Sequence, residues 1–221
     1  MRLLRLASRP GSPGRPTPSR GEKPPELSDS ELVAMARERD PRAATLIWDR
    51  YAHMVRGILC HTVGPHAEVD DLMQEVFVGF FKSVDAMRDP SALKSYLVGI
   101  ALRTARTMLR KRRVRRWLHL TDSGDLPDAA APTEDPRARA AVRNLYGLLD
   151  KLDDRDRMAF VLRFAEGYEL TEVATALGCS LATAKRSIAR AEGFILTHAR
   201  KDERLRDYVN DDVASSDGGT P

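Results

Sequence analysis

The sequence predicts an all-α fold of two helical domains joined by a flexible linker. Hydrophobic residues make up 42% of the 221 residues and aromatic residues only 6%, a balance that favours helices over sheets. Apolar residues recur at helical spacing in both halves of the chain. Between the halves lies the segment TDSGDLPDAAAPTED, whose composition is typical of a linker; we place the linker at residues 119–136.

The chain is expected to begin with a disordered extension over residues 1–25, which are rich in Pro, Gly, Ser and Arg. The first domain follows over residues 26–118. Its first helix starts near Ser28, because Ser28 and Glu31 have the spacing of a capping box.

A second helix restarts at Asp40, which is placed to act as the N-cap with Pro41 at the first helical position. Gly64 and Pro65 end this helix. Its apolar residues fall on one face and predict a buried stripe of Ile47, Tyr51, Met54 and Ile58.

Two further helices complete the first domain. The third has an apolar face formed by Val69, Leu72, Val76 and Phe80. The loop DAMRDPSA then leads into a long helix from about Ser91 to Arg116. The inner stripe predicted for this long helix consists of Leu93, Leu97, Ile100, Thr104 and Met108.

The second domain is predicted over residues 137–205, opened by Asp135 and Pro136. Its first helix turns Val142, Leu145, Leu149 and Leu152 inward, and DDRDRMAFVLRFAEG forms a further helix. The stretch LTEVATALGCSLATAKRSIARA follows, and the domain closes near Leu205. Residues 206–221 form a polar tail that we expect to be disordered.

The stretch from Leu170 to Ala191 has the spacing of a helix-turn-helix. Gly178 stands where the turn needs a positive φ angle, and Ser180 can cap the second helix. The residues predicted to face a shared core are Val173, Leu177, Ala184, Ile188, Ala191 and Ile195. Lys185, Arg186 and Arg190 then point away from that core, either toward the major groove of duplex DNA or simply toward solvent.

The net charge is only +4, but charge is unevenly distributed. The end of the long helix carries eight basic residues and no acidic ones, namely Arg103, Arg106, Arg110, Lys111, Arg112, Arg113, Arg115 and Arg116. Cations complement the helix dipole only in the last turn. A run of this length favours neutralisation of nucleic-acid phosphates.

The third helix carries an acidic ridge opposite its apolar face, formed by Asp70, Asp71, Gln74 and Glu75. The ridge could be a solvated face, a docking surface for a basic partner, or, together with His66, a metal site of a hydrolase using Asp70 and Glu75. Cys60 and Cys179 lie far apart, as in a reduced protein. We expect no metal, no cofactor, no catalysis and no membrane-spanning segment.

Three motifs in this order resemble bacterial sigma factors: DLMQEVFVGFF, SYLVGIALRTA with its basic run, and EGYELTEVATALGCSLATAKRSIARA. The chain is similar to the small extracytoplasmic-function group of that family, which keeps only the second and fourth conserved regions. The resemblance covers residues 26–118 and 138–200. It implies a protein that binds core RNA polymerase, directs it to promoters and helps to melt DNA.

The resemblance also implies residue roles. Those implied to dock on the largest polymerase subunit are Asp71, Leu72, Gln74, Glu75 and Phe77. Unstacked bases and single-stranded phosphates of the downstream promoter element would contact Arg88, Tyr96, Arg103, Arg106, Arg110, Lys111, Arg112 and Arg113. The duplex upstream element would be contacted by Thr183, Lys185, Arg186 and Arg190.

The sequence departs from the family pattern at several contact positions. Arg103 replaces an Asn often tied to base contact, and Thr107 replaces an Asp. The common TVKSRL reads TAKRSI, and Glu169 stands at the cap of the first of the two short helices.

The expected partners are core RNA polymerase, promoter DNA in duplex and single-stranded form, and an inhibitory anti-sigma factor, in the bacterial cytoplasm at the nucleoid. The alternative is a helix-turn-helix regulator that binds duplex DNA without polymerase. That alternative leaves the basic helix of the first domain unexplained.

Overall fold

The computed structural model describes residues 27–64, 68–118 and 135–208. The predictions for residues 1–25, for most of the linker and for most of the tail lie outside these ranges. Within them the chain forms helices and contains no strand. None of the helices in these ranges combines the length and the apolar character needed to cross a bilayer.

The described residues of the first domain form four helices: α1 (Asp29–Arg37), α2 (Pro41–Val63), α3 (Val69–Ser83) and α4 (Leu93–Trp117). Short 3-10 turns at Val84–Ala86 and Pro90–Ala92 connect α3 to α4. The predicted caps are confirmed, since Ser28 Oγ accepts a hydrogen bond from the Glu31 N–H at 3.2 Å and Asp40 Oδ1 accepts one from the Arg42 N–H at 2.9 Å.

Helix α4 lies against α2 and α3 and completes the core of the first domain. All five residues of its predicted inner stripe are buried, and Leu93 and Leu97 have no exposed surface. The predicted face of α3 is also buried. The stripe of α2 needs one correction: Met54 is only half-buried, and the fully buried Val55 lies beside it.

The second half contains α5 (Pro136–Leu149), α6 (Asp154–Phe160), α7 (Leu170–Ala176) and α8 (Leu181–Ala199). A wide π turn over Val161–Ala165 continues α6. Gly178 has a φ of +61°, which confirms the predicted conformation of the turn between α7 and α8. Ser180 caps α8, since its Oγ accepts a hydrogen bond from the Thr183 N–H at 3.2 Å.

The predicted inner face of α5 is buried together with Ala191 and Ile195 of α8. Leu145, Leu149 and Ile195 have no exposed surface, and Leu205 closes the same cluster. Leu177, predicted to face the core shared by α7 and α8, is only half-buried. The helix-turn-helix geometry therefore forms largely as its apolar spacing predicts.

The two halves of the chain pack on each other, which the sequence did not reveal. Met158, Ala159 and Leu162 share one continuous apolar core with buried residues of α2 and α4. Ala184 and Ile188 of α8 belong to the same core. Burial of apolar side chains across this boundary stabilises the docked arrangement.

A buried arginine lies at the centre of the domain boundary. Arg157 is 2% exposed; its Nε donates a hydrogen bond to the Thr62 carbonyl at 2.6 Å, and its Nη1 donates one to Asp150. Burial lowers the pKa of the Arg157 guanidinium, and the Asp150 carboxylate opposes that shift. The buried Tyr146 hydroxyl donates a hydrogen bond to the Cys60 carbonyl at 3.0 Å.

Further polar contacts surround this centre. His61 Nδ1 lies 2.5 Å from Glu166 Oε1, and Gly57 leaves the space that Glu166 occupies, because a Cβ there would lie 3.2 Å from that oxygen. Arg113 Nη2 donates to Asp154 Oδ1 at 2.8 Å. The ammonium of Lys94 lies 5.2 Å from the centre of the Tyr168 ring.

Replacing the buried arginine should destabilise the protein strongly. In Arg157→Ala, Asp150 loses its buried partner and the Thr62 carbonyl loses its donor, which we expect to lower the free energy of unfolding by about 3–5 kcal/mol. Urea unfolding followed by circular dichroism measures this. The control is Arg155→Ala, since Arg155 is exposed. Equal stability of the two variants would contradict the assignment.

Candidate nucleic-acid interface

The outer face of α4 presents most of the basic residues that the sequence singled out. Arg103, Arg110 and Lys111 are exposed, and Arg106 is half-buried. Arg88 is exposed in the loop before the second 3-10 turn. No carboxylate within the described ranges pairs with any of these five side chains. Their charges are therefore available to an external anion.

Two other predicted contacts have partners inside the protein. Arg112 donates to the Val63 carbonyl at 2.6 Å and to Glu68 Oε2 at 2.7 Å. Val63 is the last residue of α2, so Arg112 satisfies one of the carbonyls that a helix end leaves without an intrahelical donor. Arg113 pairs with Asp154 of the second domain. Arg112 thus supports the fold, and only the remaining cations form an open face.

Tyr96 is fixed in position near the start of α4. Its hydroxyl donates a hydrogen bond to Ser83 Oγ at 2.9 Å, and its ring lies edge-on to Phe80 with 6.3 Å between centroids. Tyr96 is half-buried. The α3–α4 connection therefore holds the ring at a defined place on the α4 face.

A cleft of about 570 Å³ separates this face from α7. Lys94, Arg103 and Arg106 lie on the α4 side, and Glu172 lies opposite on α7. The cleft is also lined by Tyr96, Tyr168, Thr171 and Thr175. Burial raises the pKa of Tyr168 to about 12, so this hydroxyl stays protonated at neutral pH. In the docked arrangement, α7 thus lies over part of the basic face.

The second basic surface is the outer face of α8. Lys185 and Arg186 are exposed and Ala184 is fully buried, as the apolar spacing predicted. Thr183 is half-buried; its hydroxyl lies 2.9 Å from Ser180 Oγ and accepts a hydrogen bond from Arg186 Nη2 at 3.3 Å. These bonds orient the first turn of α8 and leave the Lys185 ammonium exposed.

Arg190 has an internal partner that the sequence did not indicate. Its Nε and Nη2 donate to the two carboxylate oxygens of Asp156 at 2.9 and 2.7 Å. Asp156 is 6% exposed, whereas the Arg190 side chain remains 58% exposed. The hydrogen bonds and charge of the carboxylate raise the pKa of the Arg190 guanidinium, and the pair is bidentate. Spacing alone gives no signal of this pair, because the two residues are far apart in sequence.

The acidic ridge of α3 is exposed at Asp71, Gln74 and Glu75. Leu72 and Phe77, predicted to belong to the same contact surface, are instead 7% and 5% exposed and face the core. Val78 continues the exposed face and is 43% exposed. The spacing of Leu72 and Phe77 matches the apolar side of α3, which explains their burial.

Trp48 is an exposed aromatic residue that the sequence pattern did not indicate. It is 44% exposed, and its ring centroid lies 4.7 Å from that of Phe77. The indole therefore covers Phe77 and presents its own outer surface beside α3. An isolated Trp on a helix gives no pattern from which its exposure could be inferred.

The metal-site hypothesis finds no support in the described ranges. Asp70 pairs with Arg56, and no group of three or more His, Cys, Asp or Glu residues in these ranges could hold a metal ion. His66 lies outside them. Burial raises the pKa of the Cys60 thiol, which makes this sulfur a weak ligand at neutral pH.

Comparison with family profiles identifies both halves of the chain. The profile of sigma-70 region 2 matches residues 47–115, and that of sigma-70 region 4 matches residues 143–194. The first match contains the acidic ridge and α4 up to residue 115, and the second contains α7 and α8 up to residue 194. A lone helix-turn-helix regulator would account only for the second match, so that alternative is not favoured.

Curated relatives align with most of this chain over nearly their own full length. The extracytoplasmic-function RNA polymerase sigma-E factor of Escherichia coli K12 is 27% identical over 179 residues, covering 77% of this chain and 93% of the relative. The sigma-E factor of Haemophilus influenzae is 26% identical over 179 residues, covering 77% and 94%.

Two solved structures share the fold. One is CnrH in complex with the cytosolic domain of CnrY, with a TM-score of 0.59, 24% identity and coverage of 79% of this chain and 99% of that one. The other is the sigma factor RpoE in complex with the anti-sigma factor NepR from Bartonella quintana, with a TM-score of 0.50, 22% identity and coverage of 68% and 92%.

Proposed function

This chain belongs to the sigma-70 family of RNA polymerase sigma factors, in its extracytoplasmic-function group, and on that basis we propose which of its surfaces carries each step of initiation. The observation that carries the proposal is the pair of exposed cationic faces, one on α4 and one on α8. Each face lies on a separate half of the chain and faces away from its own core. Together they can engage two promoter elements.

The polymerase-docking surface is the exposed face of α3. Asp71, Gln74, Glu75 and Val78 follow the i, i+3, i+4, i+7 spacing of one helix face. No cation in the described part of the chain pairs with Asp71 or Glu75. With Trp48 beside it, this surface combines an aromatic anchor and unpaired carboxylates, as in interfaces with a basic partner. Leu72 and Phe77 lie beneath this surface and pack into the core of the first domain.

The downstream element is captured as single-stranded DNA along α4. Arg103, Arg106, Arg110 and Lys111 neutralise phosphates, with Arg88 at the edge. Tyr96 offers an anchored ring at the start of the helix for an unpaired base. Arg112 supports this surface by holding the end of α2, and Arg113 joins the surface once its pair with Asp154 opens.

The upstream element is read as duplex DNA by α8. Lys185 and Arg186 are exposed near the start of the helix, where small neighbours such as Ala182 and Ala189 permit close approach to the major groove. Thr183 positions Arg186 through its hydroxyl. Arg190 contributes after exchanging Asp156 for DNA.

Full use of the α4 face requires the two domains to separate. The cleft beside α7 already borders Arg103 and Arg106, and a strand along the whole face would meet α7 and the Arg113–Asp154 pair. We place the first domain at residues 26–118, the tether at 119–136 and the second domain at 137–205. Binding to polymerase would supply the free energy that parts them.

The protein acts by binding, without catalysis of its own, in the cytoplasm and at the nucleoid. An anti-sigma factor is a further proposed partner. The supporting observation is that a solved sigma factor with this fold is held in complex with one.

Reversing the charge of Glu75 should weaken polymerase binding. Glu75 is exposed and has no partner within the described ranges, so Glu75→Lys changes the docking surface without disturbing the core. We expect affinity for core polymerase to fall at least about tenfold, because a like charge would face a basic partner. Fluorescence titration of labelled protein with core enzyme measures the affinity. Run-off transcription measures the resulting loss of initiation.

The matched control for this variant is Glu38→Lys, an equal charge reversal at an exposed position at the end of α1. It should bind core polymerase as tightly as the unaltered chain. If the two variants lose affinity equally, net charge and not the α3 face governs binding, and the docking assignment fails.

The Arg190–Asp156 pair should limit duplex recognition. Arg190→Ala is expected to cost about 1–3 kcal/mol in binding to the upstream element if the guanidinium reaches a base edge. Asp156→Asn should instead strengthen binding to the upstream element, since the Arg190 guanidinium loses its carboxylate partner. Holoenzyme binding to matched and mismatched duplexes gives both values, with the exposed Arg200→Ala as control. An equal loss by Arg190→Ala on every sequence would show phosphate contact alone.

A further inference from the structure

The face of α4 carries an aromatic residue at each end of an arginine row. Tyr96, Arg103, Arg110 and Trp117 are each seven residues apart, so successive side chains fall on nearly the same side of the helix, with a drift of about 20° per step. Gly99 and Arg106 lie on this side between them. At about 1.5 Å per residue the row is about 31 Å long.

Trp117 is the most exposed large apolar residue in the described ranges, at 78%. Val114 and Leu118 beside it are 56% and 49% exposed. The surrounding side chains are cationic, since Arg110, Lys111 and Arg115 are all exposed. The Trp117 indole is thus an exposed apolar ring surrounded by positive charges. Such a surface is complementary to a partner that has flat rings and negative charges.

We propose that Trp117 is a stacking platform for an unpaired base, and that the row from Tyr96 to Trp117 is a continuous track for single-stranded promoter DNA. This inference rests on the proposed function, because it extends the downstream-element surface to the far end of α4. Cationic grooves with interleaved aromatic rings bind single strands in this way, with phosphates on the cations and bases on the rings.

Duplex DNA fits the row less well than a single strand. Bases inside a duplex are stacked on each other, so an indole can reach a base face only after that base has been unstacked. At the 3.4 Å spacing of a stacked strand, 31 Å accommodates about nine nucleotides. Such a track holds more of the melted strand than Tyr96 and its nearest arginines could hold alone.

The docked arrangement leaves Trp117 itself exposed. The cleft beside α7 borders Tyr96, Arg103 and Arg106 but neither Arg110 nor Trp117. Arg113 lies on the same side of α4 between Arg110 and Trp117, and it pairs with Asp154 of the second domain. A strand can therefore reach the exposed Trp117 ring while the second domain is docked, but it can follow the whole row only after that pair opens.

The test uses holoenzyme assembled from the full chain and core polymerase, with single-stranded promoter oligonucleotides carrying 2-aminopurine at successive positions. Trp117→Ala should weaken strand binding about five-fold to a hundred-fold and remove fluorescence quenching at one or two neighbouring positions. Trp117→Phe should restore much of both signals, because the ring is kept. The matched control is Val114→Ala, an apolar truncation on the same exposed turn, which should change neither.

Three results would overturn the inference: unchanged strand binding in Trp117→Ala, equal losses in Trp117→Ala and Val114→Ala, or an equal loss on duplex and single-stranded DNA. Failure of the proposed function is recognised separately, since an Arg103→Ala, Arg106→Ala double variant would then also leave strand binding unchanged. Unchanged binding in Trp117→Ala with a loss in the double variant rejects the stacking platform alone.

Discussion

The docked structure depends on one buried guanidinium. Arg157 reaches from α6 to the last turn of α2, where its Nε hydrogen-bonds the Thr62 carbonyl while Asp150 of its own domain neutralises its charge. Desolvating an arginine is costly unless its hydrogen bonds are made. Because Thr62 belongs to the first domain, its hydrogen bond with Arg157 exists only when the domains are together. The apolar core around Met158 and Leu162 forms under the same condition.

Helix α4 connects this constraint to function. Its inner stripe organises the core of the first domain, and its outer face carries the exposed arginines that we propose contact DNA. Asp154 of the second domain pairs with Arg113 of the same helix, and α7 lies across the cleft from Arg103 and Arg106. The pair of Asp156 and Arg190 lies within the second domain and restrains Arg190 of the α8 face whether or not the domains are docked. The docked state therefore restrains the α4 face, and in the proposed function polymerase binding offsets the contacts that maintain docking.

Features set by local chemistry could be predicted from the sequence. The caps at Ser28, Asp40 and Ser180, the turn at Gly178 and the inner stripe of α4 each depend on residues a few positions apart, and each was found as expected. Contacts between distant residues could not be predicted. Nothing in the spacing of the basic run distinguishes Arg112, which holds the end of α2, from the exposed Arg110. The burial of Phe77 under Trp48 likewise depends on how two helices meet.

The distance between the two domains, with and without core polymerase, tests the central claim most directly. Fluorophores can be attached at the exposed positions of a Glu38→Cys, Arg200→Cys variant in a Cys60→Ser, Cys179→Ser background. Energy transfer in the unbound protein should report a single distance between the two positions, and addition of core polymerase should change that distance as α7 leaves the α4 face. An unchanged distance in a holoenzyme that initiates transcription would contradict the need for domain separation.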